Sequence, residues 1–238
     1  MSTAIDLGDL RVEVIHKAVR NLHLAVLPPQ GKVRVTAPMH MKLETIRVFT
    51  VSRLAWIKTQ QRRMRAQERE APRQYLERES HHVWGRRYLL KRQEVDAPPA
   101  VVLKRSHLVM QVRPGATESR CQELLDAWYR EQLHAAVATL VAKWEPVMGV
   151  RVGRVFVQRM KTRWGSCNPA SGAIRLNTDL AKKPPECLEY LVVHEMAHLL
   201  EPTHNARFLA LMDLFLPNWQ QVRAALNRLP VKHEDWDY

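Results

Sequence analysis

Cysteine is scarce. Cys121, Cys167 and Cys187 are all that 238 residues contain, too few and too scattered for a disulfide framework. No two of them form a CxxC pair, which excludes the usual thiolate site for a structural zinc. They are read as reduced thiols, Cys121 and Cys187 as buried ones. Long apolar runs are missing too. No stretch approaches the roughly 18 residues that a membrane span needs, and the opening residues MSTAID lack the basic start and apolar segment of a signal peptide. The expectation is a cytoplasmic protein with no membrane partner. Neither an internal repeat nor a low-complexity tract is evident. Hydrophobic residues at 46% and charged residues at 26% are ordinary globular values, and the length suits one large domain or two smaller ones.

Acidic residues are short in one half only. Up to Gly115 there are 22 Lys and Arg against 10 Asp and Glu, whereas the remainder has 15 against 14. A field of that sign attracts nucleic acid, acidic proteins or anionic surfaces, although a solvated basic face is the commoner reason for such a surplus. No nucleic-acid reading motif accompanies the charge. Nucleic acid or another polyanion is therefore a candidate partner of the N-terminal half.

Residues 11–19, 22–27 and 32–36 carry β-formers between turn signals and predict a small antiparallel meander. Residues 42–70 contain no Gly or Pro, with apolar positions at Leu43, Ile46, Val51, Leu54 and Ile57, and predict one long helix with a solvated basic end. Strand-like segments at 83–90, 101–104 and 108–112 follow, closed by Pro114 and Gly115. The expected division is a basic β-rich region with a long helix, 1–115, and a catalytic region, 116–238. In the latter, apolar spacing over 118–144 predicts a helix ended by Pro146 and Gly149. Segments 152–158 and 173–177 read as a hairpin around the turn-rich stretch 164–172. A helix from Pro184 to Leu200 is stopped by Pro202, two further helices span about 205–215 and 219–229, and a polar tail ends the chain. The fold class is α+β.

The chemistry sits in HEMAH at 194–198. On a helix, residues four apart lie one turn from each other on one face, so the imidazoles of His194 and His198 reach a common ion. Zinc suits neutral imidazole, and a catalytic zinc keeps three protein ligands with a fourth position for water. The third ligand must come from beyond the helix, and His204 follows the break at Pro202. Among downstream carboxylates only Asp213 precedes the acidic tail, and it is a candidate partner for a ligand imidazole rather than a ligand. Glu195 reaches the water without touching the ion and is the candidate general base. The expectation is one Zn2+ per chain on His194, His198 and His204.

The runs KTRWGSC at 161–167 and GAIRLN at 172–177, the HExxH helix, His204 with Arg207 and Phe208, and Pro217, Asn218 and Trp219 together resemble the YgjP-like family of metal-dependent hydrolases. The family is similar to zincin metallopeptidases and, more distantly, to SprT-like proteases that act on DNA-linked proteins. The resemblance implies a zincin-like catalytic domain and a peptide or protein substrate. The histidine spacing also equals that of metzincins, but Glu201 stands where their glycine falls, and no downstream methionine turn is obvious.

Three activities are compatible with these residues: a peptidase, a zinc hydrolase of nucleotides or phosphoesters, and a protease acting on nucleic-acid-bound protein. Residues 173–177 are the candidate strand for pairing with an extended substrate. Trp164 to Cys167 either shapes the cleft or forms a tight structural turn, the turn being favoured, and Cys167 is a poor candidate nucleophile. Arg163, Tyr190 and Arg207 are unranked candidates for oxyanion stabilisation.

Overall fold

The computed structural model describes residues 2–27, 31–66, 74–160 and 163–229, so Lys161, Thr162 and the polar tail lie outside the described residues. The chain divides into two compact units, Met1–Pro72 with Pro230–Tyr238, and Arg73–Leu229. The architecture is mixed α+β, as the sequence predicts.

The first unit holds β1 (Ser2–Leu7), β2 (Leu10–Lys17), β3 (His23–Leu27) and β4 (Lys32–Pro38) in the order β1-β2-β4-β3. It is not a meander: β2 runs parallel to β4, Val12 opposite Val33 and Val14 opposite Val35, with antiparallel β1 and β3 outside. The two strands whose alternation buries most apolar surface take the centre of the sheet, while β3, with Val26 as its one buried residue, takes an edge. The predicted long helix is two helices, α1 (Leu43–Ser52) and α2 (Leu54–Ala66). The hydroxyls of Thr50 and Ser52 donate to the carbonyls of Ile46 and Phe49, both at 2.7 Å, competing with the backbone where the helix breaks at Arg53. Residues 67–70 of the predicted helix lie outside the described residues. Ile46 and Ile57 hold the pair on the core of Val12, Val14, Val33 and Val35.

In the second unit β5 (Ser80–Val83), β6 (Arg86–Glu94), β7 (Ala100–Leu103) and β8 (His107–Val112) assemble as β5-β6-β8-β7, with β6 and β8 parallel. Order and directions match those of the first sheet, so the fold repeats a topology that the residues themselves do not display. The predicted strand 83–90 is a hairpin. Trp84 and Gly85 both take left-handed backbone, φ 49° and 78°, as a two-residue turn requires. The turn donates from Trp84 N to Ala181 O and from Gly85 N to Lys182 O, 2.8 and 3.2 Å, just before the helix that begins at Pro185.

Leu90, Leu108 and Met110 of this sheet share one core with Leu125 and Leu133 of α3 (Glu118–Met148) and with Leu188 and Val192 further on. The charge break at Gly115 is therefore not a break in the core, because net charge is a property of the surface and not of packing. A third sheet joins β9 (Arg154–Gln158), β10 (Gly165–Asn168) and β11 (Ala173–Asn177) in the order β10-β11-β9. The expected hairpin of 152–158 with 173–177 is a parallel pair instead, and β11 makes its hairpin with β10. A short 3-10 helix, Thr178–Lys182, leads to α4 (Pro185–Ala197), α5 (Ala206–Phe215) and α6 (Trp219–Arg228). None of the described helices is long and apolar enough to cross a membrane.

Candidate metal centre

Nearly every residue of α4 is buried, from Cys187 to Ala197, as an all-round apolar helix requires. Its far end is the exception. His194 is half-buried, Glu195 is 4% exposed, and His198 caps the helix. The chain then turns back, with the Glu201 carboxylate accepting from Thr203 N and Oγ1 at 3.2 and 2.9 Å, and Asn205 capping α5 by accepting from Phe208 N at 3.0 Å. This turn delivers His204 to the end of α4.

The ligand atoms of His194, His198 and His204 all lie within 4.8 Å of one another. Nε2 of His194 and Nε2 of His204 are 3.1 Å apart. The carbonyl of Glu201, which can only accept, lies 3.1 Å from Nδ1 of His198, so that nitrogen carries the proton and Nε2 keeps a lone pair. Phe208 packs against all three rings at centroid distances of 5.0, 4.6 and 4.8 Å, fixing their spread. Burial pushes the His194 pKa down to about 3, helped by His198, His204 and Arg223. His204 is also lowered, by burial and then by His198 and Arg223. Three imidazole nitrogens gathered this closely at a helix end are the donor set that zinc takes, and they fit a metal. Nδ1 of His194 is buried with no hydrogen-bond partner among the described residues.

The Glu195 carboxylate lies against Gly165, the first residue of β10. Burial raises its pKa to about 8, with the Arg163 cation pulling the other way. A Cβ at Gly165 would overlap Oε1 of Glu195 and lie 3.0 Å from its Cδ. The turn reading of Trp164 to Cys167 thus gives way to a strand, and any side chain at its first residue would have to displace the Glu195 carboxylate. From the sequence the loop holding Gly165 is a candidate to shape the cleft, but its contact with Glu195 is brought about only by the fold. Cys167 is raised to about 11 by burial and by Glu195, and stays a thiol. Asp213 is no partner of a ligand imidazole: its Oδ1 accepts from Trp219 Nε1 at 2.7 Å. The Trp219 indole stacks on Tyr190, centroids 6.5 Å apart at 10°, and Tyr190 lies 5.7 Å from His194. Arg223, on α6, was not foreseen. It lies 25 residues beyond the HExxH motif and joins the site only through the packing of α6.

Three convergent imidazoles beside a buried carboxylate are the donor set of a metal-dependent hydrolase. The sequence profile of the YgjP-like metallopeptidase domain matches residues 20–229, and the chain belongs to that family. No curated protein matches it. Among solved structures it is similar to the metallopeptidase zymogen abylysin of Pyrococcus abyssi, at 20% identity and a TM-score of 0.36 over 38% of this chain and 90% of that one. The metallopeptidase zymogen jannalysin of Methanocaldococcus jannaschii matches at 16% identity and a TM-score of 0.35, over 38% and 92%.

Proposed function

We propose that the protein is a zinc-dependent peptidase with a zincin-like catalytic site, in which His194, His198 and His204 hold one ion and Glu195 moves the proton. The convergence of the three imidazoles, with Glu195 buried beside them, carries this reading. Zinc bound there supplies a Lewis acid for the scissile carbonyl and lowers the pKa of a water towards about 7. The Glu195 carboxylate takes the proton from the attacking water and passes it to the leaving amine nitrogen. His198 is oriented by its Nδ1–H bond to Glu201. β11, the strand expected to align substrate, is the middle strand of its sheet and is paired on both sides. The edge strand β10, beginning beside Glu195, takes that role in this reading and pairs with an extended peptide. The test is hydrolysis of an unfolded protein by the zinc-loaded enzyme. Loss of cleavage on chelation and in Glu195→Gln is expected, and cleavage that survives both sinks the proposal.

A second reading, action on protein bound to nucleic acid, is favoured by one observation. Lys58, Arg62 and Arg65 fall at i, i+4 and i+7 on α2, all exposed, and residues 45–66 contain no acid. Such a stripe suits a phosphate backbone.

A further inference from the structure

Two carboxylates near the metal centre are engaged, whereas two arginines are not. Glu201 holds Thr203, and Asp213 holds the Trp219 indole. Elsewhere cations of the chain have carboxylate partners, as in Arg34 with Glu13, Arg92 with Glu94, Arg120 with Glu123 and Lys143 with Glu189. Arg163 and Arg223 have no ion-pair partner among the described residues, and both side chains are exposed.

Both are set in place by their backbones. The carbonyl of Arg163 accepts from the buried Asn177 Nδ2 at 3.1 Å, and the carbonyl of Trp164 accepts from Asn177 N at 2.9 Å. Arg163 thus stands two residues before Gly165, on the Glu195 side of the centre. Arg223 comes from α6, whose first turn is seated on α4 by Trp219 stacking on Tyr190 beside His194. It lies one turn beyond Trp219 on the same face, next to the buried Val222. Its charge acts on His194, His204 and Tyr190, while that of Arg163 acts on Glu195. Two unpaired guanidiniums therefore flank the reacting groups from separate elements, and a guanidinium is shaped to grip a carboxylate through paired N–H bonds.

We infer that the site prefers peptides carrying a carboxylate close to the scissile bond, gripped by Arg223 with Arg163 as the second cation. The inference rests on the peptidase reading and names its substrate class. The carboxylate has two sources, an Asp or Glu side chain or the free C-terminus of a short peptide.

Matched peptides distinguish them. One pair differs by Glu or Gln beside the scissile bond, and the other by a free or amidated C-terminus. kcat/KM is measured for each with the zinc-loaded wild type, Arg223→Gln, Arg223→Lys and Arg163→Gln. Affinity of the same peptides is measured on Glu195→Gln, with and without Arg223→Gln. The expected result is a preference of about fivefold or more for the carboxylate in at least one pair, near the upper end for an exposed ion pair. The preference collapses towards one in Arg223→Gln and is only partly kept in Arg223→Lys, whose ammonium keeps the charge but not the paired N–H bonds. Equal kcat/KM within both pairs overturns the inference, as does a preference that survives Arg223→Gln. Failure of the peptidase reading would show differently, as no cleavage of any peptide. The affinities then decide alone: equal binding of charged and neutral peptides overturns the role of the arginines, and weaker binding of the charged one in the Arg223→Gln background supports it.

Discussion

Gly165 and Glu195 are in contact so close that a single methyl group on residue 165 would overlap a carboxylate oxygen. The first residue of an edge strand thereby sets where the proton-carrying group stands. Gly165→Ala should destabilise the fold by about 1–3 kcal/mol, the usual cost of overpacking a filled site, and displace the Glu195 carboxylate. Thermal unfolding and kcat/KM measured together check this. A variant with unchanged Tm and full activity would mean that the strand moves aside freely.

The same contact shows what could be read from the residues and what could not. The HExxH helix, the return to His204 and α3 were legible, because apolar spacing, Pro202 and Gly149 act over a few neighbouring residues. β10 was not. Gly165, Ser166, Cys167 and Asn168 carry turn chemistry, and the segment is a strand only because β11 offers it a partner. The parallel pairings of β2 with β4, β6 with β8 and β9 with β11 were equally hidden, since alternation reports which face is buried and not which strand lies alongside. Arg223 illustrates the same limit within the site: nothing around it in sequence distinguishes it from a solvated helical arginine.

Metal retention should depend on His204 although it is the exposed member of the triad. His204→Ala is expected to lower zinc affinity by more than about 100-fold, beyond the loss typical of a merely orienting partner. Glu195→Gln should keep both metal and fold. Competition with a chelator of known affinity measures each, and wild-type affinity in His204→Ala would pass the third-ligand role to another group.

The buried carboxyl of Glu195 should make the metal-free protein less stable as pH rises. Its folded pKa of about 8 lies above the ordinary 4.5, so the native state keeps a proton that the unfolded chain has released. The stabilisation is fully present below pH 4.5 and is lost as pH rises through 8. His194 acts in the opposite sense. With a folded pKa of about 3 against 6.5, its contribution is present above pH 6.5 and lost as pH falls through 3. Comparing chelated wild type with Glu195→Gln cancels the histidine effect. The wild-type Tm should fall relative to the variant from pH 5 to pH 8, and a constant difference across that range would show that Glu195 ionises normally in the fold.

The stripe on α2 gives the last prediction. The helix is held to its sheet by Ile57 and by Gln61 Nε2, which donates to Gly31 O at 2.8 Å, so Lys58, Arg62 and Arg65 line a flank turned to solvent. From residue 58 to residue 65 the helix rises about 10 Å, roughly the axial length of three nucleotides on one strand at about 3.4 Å each. Three cations over that length match the density of a phosphate backbone. If the flank binds nucleic acid, log affinity should fall linearly with log salt, because each neutralised phosphate releases counterions. Changing Lys58, Arg62 and Arg65 to Gln should make that slope shallower by about two to three on duplex or single-stranded DNA. The three side chains are exposed, so stability should change by no more than about 0.5 kcal/mol per site. Identical slopes for variant and wild type, or tighter binding to anionic vesicles than to either DNA, would remove the nucleic-acid role of α2.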